Sequence, residues 1–98
     1  MKLSVVSTLY CSSSSINDFY IRIKAEAIKI AGDSHQIILV NDGSPDESLA
    51  IAIDLAKIDS NLVVVNLSRN FGHYQALMTG LKYASGEEVF LIDSDLEE

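Results

Sequence analysis

The apolar run Val89-Phe90-Leu91-Ile92 stops at Asp93-Ser94-Asp95, two carboxylates separated by one residue. In an extended strand, residues i and i+2 project to the same side, so this spacing lets both side chains aim at one point. Such a pair suits a hard divalent cation, Mg²⁺ or Mn²⁺, which takes oxygen ligands and leaves its other positions to water and substrate phosphates. The pattern points to a metal and diphosphate site at the carboxyl end of a buried strand. The plain alternative is a polar turn after a strand. Three further polar clusters follow apolar runs: Thr8 and Tyr10, Asn41 to Ser44, and Arg69 to Gly72.

The segments that must position these clusters alternate in type. Leu3 to Leu9 is short and rich in β-branched residues, and reads as a buried strand leading into the loop that holds Tyr10. A helix is predicted from Ile16, capped by Ser15 with Asp18 at the third position, with Ile16, Tyr20, Ile23, Ala27 and Ile30 on one face and Gly32 as its stop. Gln36 to Val40 forms a second strand. Ser44 as cap, Pro45 at the first helical position and Asp46 and Glu47 in the first turn open a second helix, whose inner face is Leu49, Ala52, Ile53 and Ala56. Leu62 to Leu67 is a third strand, Tyr74 to Ala84 a third helix ending at Gly86, and the strand carrying Asp93 comes last.

The resulting β-α-β-α-β-α-β order, with continuously apolar strands, predicts an α/β fold built on a three-layer, mostly parallel, Rossmann-like sheet. In such sheets ligands bind off the carboxyl ends of the strands, where the strand order reverses. All four polar clusters stand at strand carboxyl ends and converge on one rim in this architecture. That convergence favours a nucleotide or phosphate site over four unrelated turns.

Size and charge bound the rest. With 98 residues, 48% of them hydrophobic, the chain has material for one modest core and no second domain. The single cysteine, Cys11, excludes an internal disulfide framework and suits a reducing compartment. No apolar run reaches membrane-spanning length, and the apolar segment after Met1 is too short for a signal peptide, so the chain is expected to be soluble and cytoplasmic. The net charge of -7 is concentrated in residues 87–98, which hold six acids and no Lys or Arg, against eight acids and seven bases before them. Such a tail repels nucleic-acid phosphates and attracts a cation, so no nucleic-acid partner is expected.

The glycine-rich fingerprints of dinucleotide dehydrogenases and P-loop enzymes are missing. The second strand runs instead into Val40-Asn41-Asp42-Gly43-Ser44-Pro45-Asp46-Glu47-Ser48, and with Asp93-Ser94-Asp95 this resembles the nucleotide-binding half of the family 2 glycosyltransferases, which have the GT-A fold. Asn66 to Leu77 followed by Gly80 to Gly86 is similar to the branch that transfers a sugar to a polyprenyl phosphate, as in bactoprenol glucosyltransferases and dolichyl-phosphate mannose synthases. The resemblance covers essentially the whole chain. It implies that residues 1–98 are the N-terminal, nucleotide-sugar-binding part of a GT-A domain whose acceptor-binding part is absent.

Position by position, the resemblance implies that Thr8 and Tyr10 contact the nucleoside, Asp42 accepts hydrogen bonds from base or ribose, Arg69 and Gly72 border the diphosphate, and Asp93 and Asp95 hold the metal. Read alone, Tyr10 is also a packing aromatic, Asp42 a turn residue and Arg69 a surface ion-pair residue. His73 is unassigned, and no catalytic residue is identified in the chain. Many members have proline where Thr8 stands and an Asn-Glu pair where Cys11 and Ser12 stand, so the contact of that acid has no counterpart here. The implied function is metal-dependent, inverting transfer from a nucleotide-diphosphate sugar to a polyprenyl phosphate or glycan. That places the whole protein in cell envelope polysaccharide synthesis, at the cytoplasmic face of the membrane. The 98-residue piece alone is expected to be inactive. A strand order of 3-2-1-4 would leave the Val89 strand at a sheet edge and favour self-association. Competing readings are a sugar nucleotidyltransferase, which would normally show a basic glycine-rich loop after the first strand, and a receiver-like interaction module, which would need a lysine at a later strand end.

Overall fold

The computed structural model describes residues 2–9, 14–43, 46–67, 69 and 71–93, with the side chains of His73 and Asp93 outside the description. The predicted element order is the observed one. Strands β1 (Leu3–Leu9), β2 (His35–Asn41), β3 (Leu62–Asn66) and β4 (Glu88–Asp93) alternate with helices α1 (Ile16–Ala31), α2 (Ser48–Ile58) and α3 (His73–Leu81). All strand pairs are parallel, in the order β3-β2-β1-β4.

Parallel neighbours need crossovers, and these put helices on both faces. Ile16 and Phe19 of α1 and Ala52 of α2 pack with Leu9, Ile37, Leu39 and Leu62 on one face. Ala76 of α3 packs with Val6, Ile38, Val40 and Val65 on the other. The three-layer architecture follows from β1 and β2, which are buried on both sides: β2 carries the unbroken apolar run Ile37 to Val40, and β1 sets the small Ser4, Ser7 and Thr8 among its apolar residues. From β1 the chain winds outward through β2 to β3. It then crosses back under α3 to β4 on the far side of β1, so the strand order reverses between β1 and β4.

Helix details differ from expectation in ways that tertiary packing explains. On α1, Phe19 is fully buried while Ile30 is exposed; on α2, Ile51 and Leu55 pack inward while Ile53 is exposed. The predicted Ile16, Tyr20, Ile23 and Ala27 on α1 and Ala52 and Ala56 on α2 do pack inward, so the sheet changes only the edge of each stripe. α2 begins at Ser48 instead of Pro45, because the Asp46 carboxylate accepts hydrogen bonds from both the amide (3.0 Å) and the hydroxyl (2.6 Å) of Ser48, closing a turn ahead of the first helical residue. Ser44 and Pro45 lie outside the described residues. α3 gives way at Leu81 to tighter i→i+3 turns through Ala84.

A partly buried polar network ties α1, β2 and the turn before β3 together at the amino-terminal end of the sheet. The Tyr20 hydroxyl donates to Asp59 Oδ2 at 2.6 Å, and Lys24 Nζ reaches Asp59 Oδ1 at 3.0 Å and His35 Nε2 at 2.8 Å. His35 Nδ1 lies 2.6 Å from the Gly32 carbonyl, which can only accept, so Nδ1 carries the proton and Nε2 accepts from Lys24. Burial alone would raise the Asp59 carboxyl, but hydrogen bonds from Tyr20, Lys24 and the Asn61 amide, with the Lys24 charge, outweigh it and hold it below its ordinary value. Burial first, then the bond to Asp59 and its charge, push the Tyr20 hydroxyl up to about 12.

The signs give a stability window. Asp59 contributes above the unfolded carboxyl range near pH 4 and loses its contribution as pH falls through its lowered value; Tyr20 contributes below about pH 10 and loses it as pH rises toward 12. The melting temperature should therefore be level between, and fall on both sides. Tyr20→Phe should flatten the alkaline fall and Asp59→Asn the acid one. An alkaline fall of the same size in Tyr20→Phe would place its origin elsewhere.

Candidate active site

The carboxyl ends of the strands form the rim. Register pairs Thr8 with Val40 on one side and with Asp93 on the other, so the backbone of Asp93, last residue of β4, stands beside Thr8 at the point where the strand order reverses. Thr8 is buried. One strand over, Leu9 pairs with Asn41 and the Asp42 amide donates to the Leu9 carbonyl at 3.0 Å, which carries the sheet one residue further and fixes Asp42 at the rim.

Asp42 is only 3% exposed, and its Oδ1 accepts the Phe71 amide at 2.8 Å. The carboxylate thus anchors the loop from β3 to α3 onto the end of β2. That loop brings the other two predicted residues. Arg69 is exposed and stacks its guanidinium 5.0 Å above the Phe71 ring. Gly72 opens α3 with φ 98° and ψ 153°, a backbone that L side chains rarely adopt, and a Cβ there would meet nothing within 4 Å. Open space over a glycine at a helix start leaves its backbone approachable.

The structure therefore brings Thr8, Asp42, Arg69, Gly72 and the Asp93 backbone to one end of the sheet. Tyr10, Asp95 and the Asp93 side chain lie outside what is described. Among the described residues no three His, Cys, Asp or Glu side chains gather into a cage.

Two rim features are not foreseen from the sequence. The Phe71 amide is the partner of Asp42, and no side-chain pattern reports a backbone donor. Asn41 sits 3% exposed with its Nδ2 donating to Asn66 Oδ1 at 3.0 Å, while its own Oδ1 is buried with no hydrogen-bond partner among the described residues. The one available signal is Asn41 itself, a polar residue closing an apolar run, which reads equally as the first residue of the turn.

The sequence profile described as glycosyl transferase family 2 matches residues 4–98. The chain belongs to that family. Among family relatives, a Mycobacterium tuberculosis protein named as a glycosyltransferase is 53% identical over 98 residues, all of this chain and 28% of that protein. The undecaprenyl-phosphate 4-deoxy-4-formamido-L-arabinose transferase of an Enterobacter species is 36% identical over 97 residues, 98% of this chain and 29% of that one. S. aureus TarS, solved in complex with UDP-GlcNAc, superposes with a TM-score of 0.80 at 30% identity, covering 97% of this chain and 27% of TarS. The family 2 chain thus spans under a third of the length of these relatives. Its parallel sheet with helices on both faces matches the solved glycosyltransferase fold.

Proposed function

We propose that this chain is the donor-binding part of a glycosyltransferase, holding a nucleotide-diphosphate sugar for metal-dependent, inverting transfer to an acceptor such as a polyprenyl phosphate. The observation that carries the reading is the end of β4: its backbone meets Thr8 where the strand order reverses, and its sequence continues into the second acid of the pair. The TarS complex with UDP-GlcNAc and the undecaprenyl-phosphate transferase relative support the donor and acceptor classes. Family membership favours this reading over a nucleotidyltransferase or a receiver-like module.

In this reading Thr8 and Tyr10 border the nucleoside. Asp42 reads base or ribose through Oδ2, since Oδ1 is committed to Phe71. Gly72 lets the diphosphate approach the backbone, Arg69 adds positive charge beside it, and Asp93 and Asp95 hold Mg²⁺ or Mn²⁺. The bound ion supplies Lewis-acid stabilisation of the negative charge that builds on the departing diphosphate, with no proton donor needed there. An acceptor phosphate is largely ionised near neutral pH and needs positioning more than deprotonation. No general base is assigned among these residues, and the chain alone is expected to bind the donor weakly, with a Kd on the order of a millimolar, and to transfer nothing.

Calorimetric titration with UDP, with and without Mn²⁺, tests the reading. Binding that strengthens with the metal supports it; heats that are the same in EDTA contradict it. A turnover assay showing sugar transfer by the 98-residue chain would refute the expected inactivity.

The edge of the sheet carries a further expectation. β4 pairs with β1 on one side only among the described strands, and Val89, Phe90 and Leu91 are 37%, 43% and 50% exposed. An open apolar edge recruits another strand, so self-association that rises with concentration is expected. A clean monomer by light scattering at high concentration would count against it.

A further inference from the structure

Residues 60–86 contain Arg69, His73 and Lys82 and not a single Asp or Glu, in a chain with 14 acids. Within this stretch α3 buries Ala76 against the sheet, and Gly80 sits so close that an added Cβ would lie 2.5 Å from Val6 and 2.9 Å from Val40. Residues 74, 78 and 82, each four apart, therefore form a ridge on the opposite side of the helix. They are Tyr74, 70% exposed, Met78, 41% exposed, and exposed Lys82. Phe71 precedes the ridge with Arg69 stacked on its ring, and Tyr83 follows it. Three of the four exposed aromatic rings among the described residues belong to this stretch, the fourth being Phe90.

The ridge is about 12 Å long. It has the amphipathic ring of Tyr74 and the flexible thioether of Met78 along it, Lys82 at one end, and no acid between, which is the composition of a surface that rests at a lipid and water boundary. We propose that this outer face of α3 docks on the surface of an anionic lipid bilayer, with Tyr74 and Met78 at the headgroup boundary and Lys82 on lipid phosphates. The acids resume at Glu87 and Glu88, where β4 begins, and bound the surface at that end. With one cation and one short ridge the contact is weak and reversible. This surface lies on the outer side of α3, so docking there is independent of the donor reading of the rim.

Flotation with phosphatidylcholine vesicles, with and without about a third phosphatidylglycerol, tests it. The chain should float with the anionic vesicles and not with the neutral ones. Recovery should fall about fivefold in Lys82→Gln, be lost in Tyr74→Ser with Met78→Ser, and decline with added salt. All three residues are exposed, so the melting temperature of each variant should match the parent, and UDP titration of the variants reads the rim separately. Equal recovery on neutral vesicles, or flotation untouched by the Tyr74 and Met78 changes, overturns the proposal. So does a dimer in sedimentation velocity that those two changes disperse, since the face would then serve a second copy.

Discussion

Gly86→Ala is expected to destabilise the fold by about 3 kcal/mol or more, and to do so where no side chain is lost. A Cβ at this position would lie 2.5 Å from the Ser4 amide nitrogen, 2.6 Å from the Leu3 carbonyl carbon and 2.8 Å from Ser4 Oγ. Two of those atoms are backbone of β1, which is paired on both sides, and they cannot retreat without breaking register with β2 or β4. The Gly86 amide also donates to Ser4 Oγ at 2.8 Å, a bond that the same displacement would stretch. Gly80→Ala provides the contrast. Its Cβ meets Val6 Cγ1 at 2.5 Å and Val40 Cγ2 at 2.9 Å, methyls of buried valines that must repack but are not backbone, and alanine gains about 1 kcal/mol of helix propensity over glycine. Its net loss should be smaller, about 1 to 2 kcal/mol. Urea midpoints of the two variants measure the difference; a Gly86→Ala midpoint equal to the parent's would mean that α3 joins β4 without this close approach.

The largest functional effect is expected at the paired acids. Asp93→Ala and Asp95→Ala should each remove the metal-dependent part of UDP binding by the chain, and in a complete transferase should lower kcat/KM by about 10² to 10³. The Asp93 backbone sits in register with Thr8 whatever its side chain, so the fold should survive and the loss should be one of charge. Asp93→Asn, which keeps shape and hydrogen-bonding capacity but not charge, should behave like Asp93→Ala toward Mn²⁺. Titration of each variant with UDP and Mn²⁺ reads this directly. Unchanged metal dependence in both would move the ion elsewhere.

How far the sequence reveals these features depends on which force dominates locally. The strands are legible because β1 and β2 are buried on both faces, and double burial favours Leu, Ile and Val with only small polar residues such as Ser4, Ser7 and Thr8 among them. The rim is legible because polar residues that end such runs have few other reasons to be there: Thr8, Asp42, Arg69 and Gly72 all stand at the carboxyl end of the sheet. Helix faces are less so. Periodicity places Ile30 and Ile53 inward, but helices rich in isoleucine offer two candidate stripes, and only packing on the sheet chooses between them. The start of α2 is ambiguous because Asp46 suits both a helical first turn and a turn ahead of the helix, and the two hydrogen bonds it accepts from Ser48 settle it as the latter. The network of Tyr20, Lys24, His35 and Asp59 leaves no trace in the sequence, since its members lie up to 39 positions apart and come together only through the crossover of α1 and α2.

In the proposed function the carboxyl-end rim beside β1 and β4 receives a nucleotide diphosphate on a divalent cation. An amide NMR titration of the labelled chain with UDP and Mg²⁺, followed by replacement with Mn²⁺, tests it most directly. The expected result is shifts at Thr8, Asp42, Gly72 and Asp93, with Mn²⁺ broadening steepest at Asp93. Shifts or broadening centred on His35, Asp59 and Gly86, at the opposite end of the sheet, would contradict it.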